Sequence, residues 1–185
     1  MFRSVLFYVA IAVALNLDAQ AIPTYLLTTV AGTVKNSDVA DGTPATSLVF
    51  INSPGIAAGP DGNIFLYEAG RVLKLAGDGT VQIVAGLGDD ETGSPGDGFP
   101  AVRAKIVAYD IALDAAGNLY IVGEYGGRVR KVTSDGIIQT VAGREQRGFC
   151  GDGGPALEAC FDFPVAIAAD AAGNVYISDS RITAC

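Results

Sequence analysis

Short apolar runs broken by glycine-rich polar clusters fill the chain from Tyr25 onward. That pattern belongs to strands joined by turns rather than to long helices. Ile111-Ala112-Leu113 and Ile167-Ala168-Ala169 each end in an aspartate, Asp114 or Asp170, that opens an Asp-Ala-Ala-Gly-Asn turn. Glycine and asparagine there accept the positive φ of a tight hairpin. Asn118 to Val122 follows as a strand rich in β-branched and aromatic residues. Arg128-Val129-Arg130-Lys131-Val132 then alternates basic and apolar positions, as a half-exposed strand does. Asp135-Gly136 predicts a further hairpin, with Ile137 to Ala142 as a fourth strand. An earlier stretch repeats the order: Arg71 to Leu75, an Asp78-Gly79 turn, and Val81 to Ala85.

The repetition extends along the whole chain, and a fixed period is the first thing to seek in a sequence. Thr29-Val30-Ala31-Gly32 returns as Ile83-Val84-Ala85-Gly86 and as Thr140-Val141-Ala142-Gly143. Asp41-Gly42-Thr43-Pro44-Ala45 returns as Asp97-Gly98-Phe99-Pro100-Ala101 and Asp152-Gly153-Gly154-Pro155-Ala156. Asp61-Gly62-Asn63 corresponds to Ala116-Gly117-Asn118 and Ala172-Gly173-Asn174, and Arg71-Val72 to Arg128-Val129 and Arg181-Ile182. The period is about 55 residues. Four antiparallel strands per repeat form a propeller blade, which hides its two faces only by packing against neighbours. A sandwich gives no reason for a fixed period, and a β-helix has shorter coils. The expectation is therefore an all-β fold, a partial β-propeller of about three four-stranded antiparallel blades with the last incomplete. A lone strand is expected within 22–32, blade 1 over 33–86, blade 2 over 87–143 and an incomplete blade 3 over 144–185.

The runs Val141-Ala142-Gly143, Gly148 to Ala156 and Asp170 to Asp179 resemble the NHL repeat family. The type they are most similar to is bacterial and exported, related to the NHL domain of teneurins. The resemblance covers nearly all of the chain after residue 21. It implies a six-bladed propeller used mainly for protein, glycan or nucleic-acid contacts, and it implies no universal catalytic site. Enzymatic relatives such as peptide-amidating lyases place metal-binding histidines around the axis, and this sequence contains no histidine. Some three blades fall short of a ring. A fragment of a longer NHL repeat protein accounts for that, as does a homodimer completing a six-bladed ring or an open arc stabilised in some other way.

Composition narrows the chemistry. The absence of histidine removes Ser-His-Asp and Cys-His catalysis and every histidine-containing metal site. Twelve basic residues against twenty acidic ones, for a net charge of −8, speak against nucleic acid and anionic membranes as partners. At the start of the chain, Arg3 precedes an unbroken apolar run from Val5 to Leu15, too short to span a bilayer, and Ala19-Gln20-Ala21 matches a cleavage site. Residues 1–21 are thus expected to be a signal peptide, with no membrane insertion after its removal and a secreted or periplasmic product able to keep disulfides.

Cys150 and Cys160 bracket the third Asp-Gly-Gly-Pro-Ala loop, where the second repeat has Pro95 and Lys105. They form a candidate disulfide, the alternatives being a metal site or a reactive thiol pair, while Cys185 is left over. Asp41, Asp97 and Asp152 recur once per unit, as do Gly62, Gly117 and Gly173, and Asp114 and Asp170 recur in two units. Recurrence points to structural turn residues, since a catalytic site needs asymmetry. Asp89, Asp90, Glu91 and Asp97 crowd a glycine-rich stretch without the alternating spacing of a calcium loop, so a solvated loop is expected there. No catalytic or metal-ligating residue is assigned and no cofactor is expected, calcium being the one candidate. The expected function is a non-catalytic module binding protein or glycan. The alternative is a carboxylate- and calcium-dependent propeller hydrolase or lactonase of the gluconolactonase type.

Overall fold

The computed structural model describes residues 10–12, 27–32, 39–50, 53–88, 96–123 and 127–180. Near the start, β1 (Ala10–Ala12) pairs antiparallel with β2 (Leu27–Thr29). The strand expected to stand alone within 22–32 therefore has a partner, drawn from the segment expected to be a signal peptide. Next comes a four-stranded antiparallel meander of β3 (Ile56–Ala58), β4 (Ile64–Glu68), β5 (Arg71–Leu75) and β6 (Val81–Ala85). A short strand, β7 (Phe99–Pro100), leads into a second meander of β8 (Asp110–Leu113), β9 (Leu119–Val122), β10 (Val129–Val132) and β11 (Ile137–Ala142). Strand β7 pairs with β11 and extends that sheet to five strands. A third unit begins as the hairpin of β12 (Pro164–Ala169) and β13 (Val175–Asp179). Residues 181–185, which include the recurring Arg181-Ile182 pair, lie outside the described residues.

The two complete sheets are copies down to their irregularities. Each breaks register at one place between its third and fourth strands, at Val72/Leu73 and at Val129/Arg130. Such bulges add local right-handed twist, and twist lets successive sheets stack face to face around an axis.

Burial shows how the sheets stack. One face of the first presents Phe65, Tyr67, Val72 and Ala85 to Ile111, Leu119, Ile121, Val132 and Ile138 of the second, with Ala101, Ala104, Ile106 and Ala108 of the connector between them. The other face of the second sheet presents Ala112, Tyr120, Val122 and Val129 to the third unit, where Ile167 is buried and Phe161, Val175 and Ile177 pack alongside. Each complete sheet thus buries both faces, the second against two neighbouring sheets and the first against the second sheet and the segment around Ala45 and Leu48. The fold is all-β and is a partial propeller. Equivalent aromatic positions mark its open end: Phe65 is 8% exposed and Tyr120 6%, whereas Tyr176 is 59% exposed. Among the described residues no helix is long and apolar enough to cross a membrane.

Candidate functional site

The recurring Asp-Gly-x-Pro-Ala loops tie the blades together at their outer rim. After Pro44, Pro100 and Pro155 the chain makes one turn of 3₁₀ helix, at Ala45–Ser47, Ala101–Arg103 and Ala156–Glu158. The alanine carbonyl that opens each turn accepts a hydrogen bond from the glycine ending the preceding blade. Gly32 N–H donates to Ala45 O at 3.0 Å, Gly86 to Ala101 at 2.9 Å and Gly143 to Ala156 at 2.9 Å. On their other side the first two loops dock on the fourth strand of the blade they enter. Ala45 N–H reaches Gly79 O and Ala101 N–H reaches Gly136 O, at 2.9 and 2.8 Å. Asp41 and Asp97 serve that docking rather than their own turns. Asp41 Oδ1 accepts the Ile83 N–H at 2.7 Å, while Asp97 Oδ1 accepts Arg130 Nη2 at 2.8 Å and the Thr140 hydroxyl at 3.2 Å. Asp152 makes no hydrogen bond among the described residues, and its loop, Gly151 to Glu158, is exposed throughout.

Asp114 and Asp170 close their turns from within. Asp114 Oδ1 accepts the Ala116 and Asn118 N–H groups, and its Oδ2 accepts Asn118 Nδ2 and the Tyr120 hydroxyl. Asp170 repeats the set with Ala172, Asn174 and Tyr176. Gly117 and Gly173 supply the φ of +78° and +85° that the turn needs, and Gly62 the matching +78° in the first unit. Burial of Asp114 works to raise its pKa, but the hydrogen bonds from Asn118, Tyr120 and Ala116 outweigh it and hold the carboxyl below its ordinary 3.8. The first unit has Gly59 at this aspartate's position and Phe65 at the tyrosine's. With no hydroxyl to receive there is no carboxylate, and a Cβ on Gly59 would come within 2.9 Å of Phe65 Cε2.

Cys150 and Cys160 form a disulfide, with Cα atoms 4.9 Å apart. Their backbones also bridge, Cys160 N–H donating to Cys150 O at 3.0 Å. The Arg144 guanidinium covers the bond, with Nε 3.3 Å from Cys160 Sγ and Nη2 3.2 Å from Cys150 Sγ. Asp89, Asp90, Glu91 and Cys185 lie outside the described residues, and among the described ones no three His, Cys, Asp or Glu side chains converge.

What the complete blades do create is a groove where their faces diverge. Between the first two sheets it measures about 370 Å³. One wall is Phe65, Lys74, Gln82 and Val84, and the other is Leu119 and Val132 with the Thr133–Gly136 turn. Lys74 lies across the sheet from Gln82, 5.7 Å from the Phe65 ring centroid and 3.3 Å from Asp61 Oδ2, so its ammonium is held at the mouth. One blade earlier a groove of about 340 Å³ occupies the equivalent place, lined by Val30, Gly62, Ile64, Leu75 and the Ala76–Gly79 turn. In the groove between the two complete sheets, an apolar floor with the Gln82 amide, the Thr133 and Ser134 hydroxyls and the Lys74 ammonium around it can hold an extended, hydrogen-bonding ligand. Sequence reasoning missed Lys74 and Gln82, because the facing wall belongs to residues about 55 positions away.

No protein-family model matches the chain, and no curated protein does either. Solved structures do. A protein of unknown function from Bacteroides thetaiotaomicron aligns over 85% of this chain and 38% of its own length, with 24% identity and a TM-score of 0.60. An auxiliary nutrient binding protein from the same organism aligns over 67% of this chain and 34% of its own, with 20% identity and a TM-score of 0.48. Virginiamycin B lyase from Staphylococcus aureus aligns over 69% and 34%, at 14% identity and a TM-score of 0.41. The chain spans between a third and two fifths of the length of these proteins. The first likeness is one of fold.

Proposed function

We propose that this chain is a non-catalytic, exported propeller segment of the NHL type that binds a protein or glycan in the grooves between its blades. The observation that carries the reading is the recurrence of one groove at equivalent places on successive sheets. A repeated groove suits a repeated or extended ligand, whereas catalysis concentrates unlike groups at a single place. Lys74, Gln82 and the Thr133–Gly136 turn supply donors and acceptors matched to hydroxyl or amide groups. The disulfide fits an oxidising compartment.

Calorimetric titration of the purified chain against soluble polysaccharides and extended peptides tests the reading. We expect saturable binding that the double variant Lys74→Ala/Gln82→Ala weakens by about tenfold, the loss of one or two hydrogen bonds. Turnover of any ligand, or a calcium-induced rise in melting temperature of many degrees, would instead favour the carboxylate-dependent hydrolase.

A further inference from the structure

The two ends of the stack of sheets expose complementary halves of one joint. Where the first two sheets meet, Phe65 of β4 lies in one cluster with Ile111 and Leu119 of the next sheet. Where the second sheet meets the third unit, Tyr120 of β9 lies in one cluster with Ile167. The rule is the same at both joints: an aromatic side chain from the second strand of one unit packs with an isoleucine from the first strand of the next.

The cluster ahead of the first sheet is built without such an aromatic. There Ala31, Ala45 and Leu48 meet Leu66, Leu73, Leu75 and Val81. Ile56, the counterpart of Ile111 and Ile167, is left 50% exposed, against 2% and 7% for the other two. Ala58, two positions further along β3, is exposed as well. The third unit shows the opposite. Tyr176 is the counterpart of Phe65 and Tyr120, yet it is exposed, and so are Ala168 and Ser178 on the same face, where Ala112 and Val122 are buried. One end has the isoleucine without its aromatic, and the other has the aromatic without its isoleucine.

The groove at the first end is short of the same wall. It has Val30 where the complete groove has Val84, and Gly62, Ile64 and Leu75 where the complete groove has Gly117, Leu119 and Val132. Counterparts of Phe65, Lys74 and Gln82 do not line it.

We propose that the Tyr176 face of one chain docks on the Ile56 face of a second copy, head to tail, by the contact that already joins successive units within the chain. A second copy is the partner because it carries both missing halves. Its Tyr176 takes the place that Phe65 and Tyr120 hold at the internal joints, and supplies the absent wall of the groove beside Ile64. Such unlike-face contacts close into a ring or run on as an open chain. Two copies that use both contacts leave neither face bare. The association holds whether or not the grooves take a ligand.

The test is the mass of the full chain in solution, read by light scattering after size exclusion over a dilution series. We expect a mass of two chains that falls to one on dilution. Tyr176→Lys and Ile56→Lys should each weaken association by about thirtyfold, the loss of one anchoring side chain of an interface. Ala168→Lys should do the same while leaving the Tyr176 hydroxyl on Asp170. Val102→Lys, exposed on the outer rim, should change nothing. Mixing the Tyr176→Lys and Ile56→Lys chains should restore a one-to-one pair, because each keeps the face that the other lacks. A parent chain that stays monomeric at every concentration would overturn the proposal. So would undiminished association of the Ile56→Lys chain alone, which is the signature of Tyr176 faces meeting each other, or a mixture that remains monomeric.

Discussion

At the scale of single residues, the Asp-Ala-Ala-Gly-Asn turns were legible in the sequence because their conformation is set by neighbours four to six positions away. Asp114 and its partners Asn118 and Tyr120 all lie within one hairpin. Arg130 and Asp97 were not legible as a pair, since 33 positions separate them and only the packing of a loop on a strand brings them together. The depressed pKa of Asp114 gives a signed prediction. A carboxyl whose folded pKa lies below its ordinary value stabilises the protein once ionised, and that contribution fades as pH falls below the ordinary 3.8. Asp114→Ala should therefore cost about 1–3 kcal/mol at neutral pH. It should also flatten the acid limb of the stability profile between about pH 5 and pH 2, measured by urea denaturation. If the variant and the parent lose stability in parallel on acidification, the network around Asp114 is not what holds the turn.

At the scale of elements, strand order and hairpin turns were readable because period-two alternation and Asp-Gly or Gly-Asn punctuation act locally. Arg71 to Leu75, Val81 to Ala85 and Ile137 to Ala142 form the strands expected of them. The short β7 was not foreseen: Phe99–Pro100 looks like turn sequence and becomes a strand only because β11 lies beside it. Gly86 shows how tightly such pieces meet. Its φ is +89°, and a Cβ there would stand 2.1 Å from Gly70 O. Gly86→Ala should destabilise by about 2–4 kcal/mol, through strain and displaced backbone together. The control Gly79→Ala has a similar φ of +81° but open space around it, so the difference in their melting temperatures isolates the steric part. The disulfide belongs to this scale too, because it closes a loop only 10 residues apart in sequence. Reduction should lower stability by somewhat under about 3 kcal/mol. Hydrogen exchange should quicken around Gly148 to Phe161 while β4 and β5 stay protected; uniform loosening would contradict a local staple.

At the scale of the whole molecule, the propeller was legible from the period alone, since identical units that cannot bury two faces must stack. The joints between units were not, because they differ from one to the next. Gly55 sits so close to the second sheet that a Cβ would lie 3.0 Å from Ile111 N. At the following joint Asp110 fills the equivalent position, and its Oδ2 accepts the Ile167 N–H at 3.0 Å. One joint is closed by bare backbone contact and the other by a carboxylate. The inter-blade groove depends on such a joint, which is why it could not be seen in any single repeat.

The glycine-to-alanine hydrogen bonds along the outer edge have a mechanical consequence. Each couples only adjacent units, and the contacts between β3 and β8 and between β8 and β12 do the same near the axis. The joint between the first two sheets and the joint to the third unit are therefore each fastened at two separate places, one peripheral and one central, with a buried apolar face between them. Parting two sheets would break both fastenings and expose the apolar face packed between them, so neighbouring blades are expected to hold together as one unit.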